Sequence, residues 1–230
     1  MAATSSQKDI IDVFSAGKLQ RFSKGELIVH GADEPQGVYL ITHGLVKIYS
    51  INDEGEEYVH IVYKPGEIFP LIWALIGTER KVFYEALVDT VVWCVSAGQF
   101  RATIQENART SYAVLMQLAK QFSIYSDRID NLEYKRARER LVYRLIFLAS
   151  RFGKARGSSI VLEPAFSQQL IASSINLARE SVSREFEKLT VEGLIGYKGR
   201  HIVINDLEAL SKELSEPTSD NLWGLRSSKD

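Results

Sequence analysis

The sequence predicts an α+β chain of two parts joined by a long helix: an N-terminal β-roll of the double-stranded jelly-roll kind, then a C-terminal helix-turn-helix with a hairpin wing. Three observations predict it. Glycines punctuate short β-type runs between Leu19 and Ser96. Apolar residues then recur at alternating steps of three and four from Leu115 to Leu132. Finally, a capped pair of helices between Ser167 and Gly193 precedes a tight hairpin. A period of two marks strands and one near 3.6 marks helices, so the change of period marks the change of part.

The bulk composition sets the frame. A chain of 230 residues, 45% hydrophobic and 25% charged, has room for two modest domains with cores of their own. The start, MAATSSQKDIIDVFSAG, lacks the basic residues and apolar run of a secretory signal. No apolar stretch reaches the roughly 18–20 residues of a membrane span. The one cysteine, Cys94, excludes an internal disulfide framework and suits a reducing cytoplasm. It also excludes a cysteine-ligated iron–sulfur cluster, which takes several thiolates. The net charge of −1 conceals an asymmetry. Residues 1–134 hold 12 Lys/Arg against 17 Asp/Glu, a net of −5, whereas residues 135–206 hold 13 against 7, a net of +6. An acidic front and a basic back is the distribution expected when one half meets phosphate.

Within the first part, Gly25, Gly31, Gly37, Gly44, Gly55 and Gly66 fall at turn spacing for an all-β unit. Val38–Ile41 and Leu45–Tyr49 flank Thr42-His43-Gly44 as a hairpin would. Asn52–Gly55 forms a second turn before Glu57–Tyr63, Lys64-Pro65-Gly66 forms a third, and Val91–Val95 closes the set as a buried strand. Regular short strands of this kind build a barrel or jelly roll rather than a parallel sheet.

The middle of the chain is helical. Leu115, Leu118, Phe122, Tyr125, Ile129 and Leu132 form a heptad seam. A helix over 108–132 is about 37 Å long at 1.5 Å per residue, more than one small domain can cover. Part of it packs on its own roll. The regular seam predicts a partner helix as well, and symmetry makes that partner a second copy of the chain.

Beyond the seam come Lys135, Arg136, Arg138, Arg140 and Arg144, then an apolar helix from Leu141 to Phe152. Residues 153–159 (GKARGSS) read as a loop, and the segment from Ser215 onward as a polar tail. The informative stretch is SQQLIASSINLARESVSREFEKLTVEGLI, 167–195. Ser167 is a natural N-cap for a first helix. Ala172 is small where a second helix must cross closely, and Asn176 tolerates the left-handed conformation of a tight turn. The second helix runs from about Ala178 to Glu192, with Val182, Phe186 and Leu189 as its buried stripe. Arg179, Glu180, Ser183 and Arg184 share an adjacent arc in its first two turns, where a recognition helix presents side chains to base edges. Arg donates two hydrogen bonds to guanine, Glu accepts from cytosine, and Ser serves either edge. Ser167 and Gln168 at the start of the first helix are further expected DNA-binding residues, and Lys198 and Arg200 at the tip of the following hairpin are placed for backbone phosphates.

This order resembles the CRP/FNR superfamily of bacterial regulators over roughly residues 14–206. The most specific match is Arg179-Glu180-Ser181-Val182-Ser183-Arg184, followed by Lys188-Leu189 and Glu192-Gly193-Leu194-Ile195. Gly25-Glu26, Gly44-Leu45-Val46-Lys47 and Pro65-Gly66-Glu67 resemble the family's cyclic-nucleotide-binding-type roll. The resemblance implies a sensing roll (1–107), a dimerisation helix (108–134) and a winged helix-turn-helix DNA-binding domain (135–214). It further implies that Glu180, Ser183 and Arg184 are the reading head of the FNR branch, which favours palindromes of TTGAT-like half-sites. The partners so implied are double-stranded DNA, a second copy of the chain and RNA polymerase, and no membrane.

The effector pocket departs from the cAMP pattern. Pro70-Leu71 stands where nucleotide-binding members place the Gly-Glu that holds the ribose, and Lys81 follows Arg80 where a serine is usual. A missing carboxylate leaves two ribose hydroxyls unpaired, at a cost of order 1–3 kcal/mol. The expected effector is therefore an unidentified small molecule, or none. The pocket is expected among Phe69, Pro70, Leu71, Ile72, Arg80, Lys81, Phe122 and Tyr125, with Trp73, Phe83 and Tyr84 as core. The FNR branch's cysteine cluster is absent, and His30, His43, His60 and His201 lack metal-ligand spacing. Two alternatives stand beside this reading, a cAMP-responsive regulator and a ligand-binding module without DNA readout. An enzyme is excluded for want of a phosphate-cradling loop or a nucleophile–base pair.

Overall fold

The structure is a computed structural model that describes residues 5–31, 33–78, 80–134 and 136–214. Lys135 and the polar tail read above lie outside the described residues. The chain divides into two compact units, Met1–Ser126 and Asp127–Asp230.

The first unit contains α1 (Ser5–Phe14), β1 (Lys18–Phe22), β2 (Leu27–Val29), β3 (Val38–His43), β4 (Val46–Ile51), β5 (Glu57–Tyr63), β6 (Ile68–Phe69), α2 (Leu71–Ile76), β7 (Phe83–Ala86), β8 (Thr90–Val95) and α3 (Ala97–Glu106). The strands form two antiparallel four-stranded sheets, ordered β1-β8-β3-β6 and β2-β7-β4-β5. Alternation along β3 gives the first sheet two different faces. Val38 and Leu40 join Phe14 of α1, Phe100 of α3 and Val114 in one apolar cluster. On the other face Tyr39 stacks on Phe69, which stacks in turn on Tyr63 and Tyr84 of the second sheet. The layer between the sheets is thus aromatic.

Two expectations for this unit are corrected. β3 and β4 do not pair as a hairpin: β3 pairs with β6 and β8, β4 with β5 and β7. Gly44 turns the chain from one sheet to the other at φ 88°, with a Cβ there 2.4 Å from Thr90 Oγ1. Only glycine fits that corner. The run LIWALI, inside the 19–96 stretch expected to hold short strands, forms a helix, α2, which ends at Gly77 in the left-handed conformation.

Helix α4 (Ala108–Glu133) begins in the first unit and enters the second at Asp127. Ala113, Val114, Gln117, Gln121 and Ile124 form its buried stripe. Gln117 and Gln121 donate to the carbonyls of Gly66 and Ile68 at 2.6 and 2.8 Å, fastening the helix to the roll.

The second unit continues with α5 (Ala137–Phe152), β9 (Gly153–Arg156), β10 (Ser159–Leu162), α6 (Gln168–Ser174), α7 (Arg179–Val191), β11 (Ile195–Lys198), β12 (His201–Ile204) and α8 (Leu207–Ser211). The stretch expected as a loop at 153–159 is instead a hairpin, β9–β10, turning at Gly157 (φ 64°). Through β10 it extends the wing into a sheet ordered β11-β12-β10-β9. Its strands are short, and β9 has no buried side chain, so no apolar alternation announced it.

Candidate nucleic-acid interface and ligand cavity

The helix-turn-helix is built by local capping. Ser167 Oγ accepts the Leu170 amide at 3.1 Å and starts α6. The Ala172 carbonyl accepts the amides of both Ile175 and Leu177, closing the turn in which Asn176 takes φ 54°. α7 then presents two faces. Val182, Phe186 and Leu189 are at most 1% exposed, whereas Arg179, Glu180, Ser183 and Arg184 are all exposed. The structure therefore brings the four predicted reading residues onto one solvent-facing surface. Arg184 Nε donates to the Glu180 carbonyl at 3.3 Å, which folds its guanidinium back toward the start of the helix.

The wing is a two-residue hairpin in which Lys198 pairs with His201 and Gly199 turns at φ 61°. Lys198 and Arg200 are exposed at its tip. Gln168, half-buried at the start of α6, donates through Nε2 to the Tyr197 hydroxyl at 3.1 Å. Sequence reasoning placed Gln168 at this surface and passed over Tyr197.

Not all of the basic segment faces outward. Arg138 donates to Glu192 at the end of α7 and to Glu213, and these bonds hold its pKa above the usual arginine range. Arg140 donates to the carbonyls of Tyr134 and Leu132. Arg144 is buried over the Phe147 ring, and burial, with Arg128 and Arg151 nearby, pushes its pKa down to about 9. These three charges are engaged within the unit, whereas Arg136, Lys154, Arg156, Arg179, Arg184, Lys188, Lys198 and Arg200 are exposed, Lys188 beside Glu185 at 2.8 Å.

The first unit contains a cavity of about 360 Å³. Of the eight residues expected there, Pro70, Leu71, Ile72, Arg80, Lys81 and Tyr125 line it. Phe69 and Phe122 do not: Phe69 is 0% exposed in the aromatic layer beneath, and Phe122 is 73% exposed on α4. Trp73 and Tyr84, read as core, do line the cavity, as do Tyr63 and Gln121. Burial pushes the Tyr63 and Tyr84 phenols well up, so both stay neutral donors. The lining is thus mixed aliphatic and aromatic, with two cations, Arg80 and Lys81, and one acidic residue, Asp33. The Cys94 thiol stands in a strand, and burial pushes its pKa up, as befits an unreactive sulfur.

A winged helix-turn-helix with an exposed Arg-Glu-Ser-Arg face, in a chain that also carries a jelly roll with a ligand-sized cavity, defines a DNA-binding transcription regulator. The family profile described as "Cyclic nucleotide-binding domain" matches residues 19–107, and that described as "Crp-like helix-turn-helix domain" matches residues 139–213. The chain belongs to the CRP/FNR family of transcriptional regulators. Among its relatives, the "Global nitrogen regulator" of Nostoc sp. is 25% identical over 199 residues, covering 86% of this chain and 89% of that protein. The "Transcriptional activator protein anr" of Pseudomonas aeruginosa is 29% identical, covering 80% and 75%. Among solved structures, the CRP-family regulator TTHB099 of Thermus thermophilus superposes with a TM-score of 0.72 at 27% identity, covering 86% and 97%. FixK2 of Bradyrhizobium japonicum matches the fold with a TM-score of 0.75 at 24% identity, covering 87% and 98%. Among the described residues no helix is long and apolar enough to cross a membrane.

Proposed function

We propose that the chain acts in the cytoplasm as a homodimer on a palindromic, TTGA-type DNA site, with Arg179, Glu180, Ser183 and Arg184 reading base edges. Ser167, Lys198 and Arg200 hold the backbone, Gln168 stands with them at that DNA-facing surface, and the bound dimer engages RNA polymerase. The observation that carries the reading is the exposed Arg179–Arg184 face on the first two turns of α7, flanked by exposed cations on the wing. Contacts of the first kind specify sequence and those of the second set register.

The dimer reading is supported by α4. Leu115, Phe122 and Ile129, seven residues apart, are 58%, 73% and 61% exposed, on a different side from the stripe that packs on the roll. Leu118, Tyr125 and Leu132 are half-buried beside them. Large apolar side chains at heptad spacing are what a second copy of the helix covers. The domain division follows: a sensing roll over 1–107, a dimerisation helix over 108–134 and a DNA-binding domain over 135–214.

The roll senses a small anion with an apolar or aromatic body, held by Arg80 and Lys81 against the tyrosines. cAMP is disfavoured because Pro70-Leu71 offers its ribose no carboxylate. In the dimer, ligation adjusts the spacing of the two recognition helices toward one DNA turn, about 34 Å.

The test is binding of the purified chain to duplex DNA as a function of salt. Neutralising several phosphates gives an affinity that falls with a steep log–log slope, about −0.9 per contact. Absence of duplex binding at low salt, with and without a metabolite extract, contradicts the reading.

A further inference from the structure

Tyr197 sits between the two elements that flank the recognition helix. It follows Ile195 by two residues on β11, so both side chains point to the same face of the strand. Ile195 is 1% exposed and Tyr197 49%. The Tyr197 ring stacks on Phe186 of α7, with centroids 6.3 Å apart, so its body is anchored while its tip is at the surface. There Gln168 Nε2 donates to the hydroxyl at 3.1 Å. A phenol that accepts this bond keeps its own O–H proton to give. The group is one residue from Lys198 on the wing and meets the first residue of α6, next to the Ser167 cap.

We propose that Tyr197 is a further DNA-contact residue: its hydroxyl donates to a non-bridging oxygen of a backbone phosphate, and Gln168 is the positioning residue that aims it. The proposal rests on the reading that α7 and the wing face DNA. A neutral donor on a fixed ring suits this place, because tyrosine hydroxyls and amide side chains are regular phosphate partners that set register without reading sequence. Such a contact displaces no counterion, which separates it from the lysine beside it.

Y197F tests it, keeping the ring on Phe186 and removing only the hydroxyl. Its affinity for the selected duplex is expected to fall about three- to tenfold, with the unfolding midpoint and the salt slope unchanged. K198A, by contrast, lowers the slope by about one contact. Q168A is expected to weaken binding in the parent and to add little in Y197F, as coupled groups do. Single methylphosphonate substitutions along the duplex then locate the partner. At the contacted phosphate the parent loses affinity and Y197F loses no more. If Y197F binds like the parent while K198A is weakened, Tyr197 makes no phosphate contact and the proposal fails alone. If Y197F and Q168A weaken binding only in step with a lowered unfolding midpoint, the pair is structural and the proposal again fails. If Y197F, K198A and R200A all bind as the parent does, the wing does not meet DNA and the underlying reading falls with it.

Discussion

Arg80 Nη1 donates to the Tyr125 hydroxyl at 3.3 Å, tying the wall of the ligand cavity to helix α4. Burial works against the Arg80 charge, but the bond to Tyr125 and the surrounding phenols more than offset it, and the guanidinium is held above its ordinary value. An anion that pairs with Arg80 must share or displace that bond. Because Tyr125 flanks the exposed stripe of α4, occupancy of the cavity is coupled, in the proposed dimer, to the proposed seam.

The first prediction separates the two partners. In a thermal-shift screen of metabolites, compounds that raise the unfolding midpoint are expected to be anions, since a ligand stabilises the state it binds. R80M loses that shift. Y125F keeps ligand affinity within about threefold, yet the ligand's effect on DNA affinity shrinks. A shift that persists in R80M places the ligand elsewhere.

The seam gives a second prediction. F122D or I129D puts a charge where the proposed dimer seats a partner's apolar side chain, and burying an unpaired charge is strongly unfavourable. Sedimentation is expected to show a dimer for the parent and a monomer for either variant. Because Phe122 is 73% and Ile129 61% exposed in the single chain, both variants are expected to keep the parent's circular dichroism. A dimer that survives both substitutions would assign association to another surface.

Asn176 carries a third. Its φ of 54° is left-handed, and its Oδ1 accepts from Arg128 Nη2 at 3.1 Å. N176A is expected to lower stability by about 1–2 kcal/mol, measured by urea unfolding. N176G, free of the Cβ penalty, recovers most of that loss. Equal losses in both would put the effect in the Arg128 bond rather than in the backbone.

Asp127 supplies a pH dependence. It is 8% exposed, and burial first, then Asp130, push its carboxyl from 3.8 up to about 6, with Arg151 pulling the other way. An acid whose folded pKa is raised binds its proton more tightly in the native state, so its ionised form costs stability. That cost is absent below the unfolded value and complete above about pH 6. D127N is expected to stabilise the chain by about 1–2 kcal/mol at pH 7.5 and to be neutral at pH 3.5. A benefit that is independent of pH would trace to packing instead.

Features fixed by a single residue's chemistry were legible in the sequence. The Ser167 cap, the left-handed Asn176 and the wing tip at Lys198 and Arg200 each have one local solution, and each is where the sequence placed it. Features decided by tertiary pairing were not. LIWALI is six apolar residues, a length and composition that suit a buried strand as well as α2. Gly44 marks a turn, but only the strands across it determine that the turn changes sheets.

The candidate cavity was half legible for the same reason. Arg80 and Lys81 stand out because charge next to a pocket is conspicuous, and both line it. Tyr63 and Tyr84 look like core in any strand pattern, and their role as lining depends on the void between sheet and helix. Phe122 misled because one helix carries two stripes, and its heptad position belongs to the outward one. Tyr197 left no sequence signal: its position depends on Gln168, 29 residues away.

The decisive experiment is a selection of binding sites from random duplex DNA by the purified chain, with parent and E180A run side by side. The account predicts that the parent enriches a TTGA-type palindrome with half-sites about one turn apart, and that E180A relaxes the preference at one position per half-site, worth about 1–3 kcal/mol. Enrichment of an unrelated or non-palindromic sequence, or an E180A profile identical to the parent's, would contradict the assignment of α7 as the reading head.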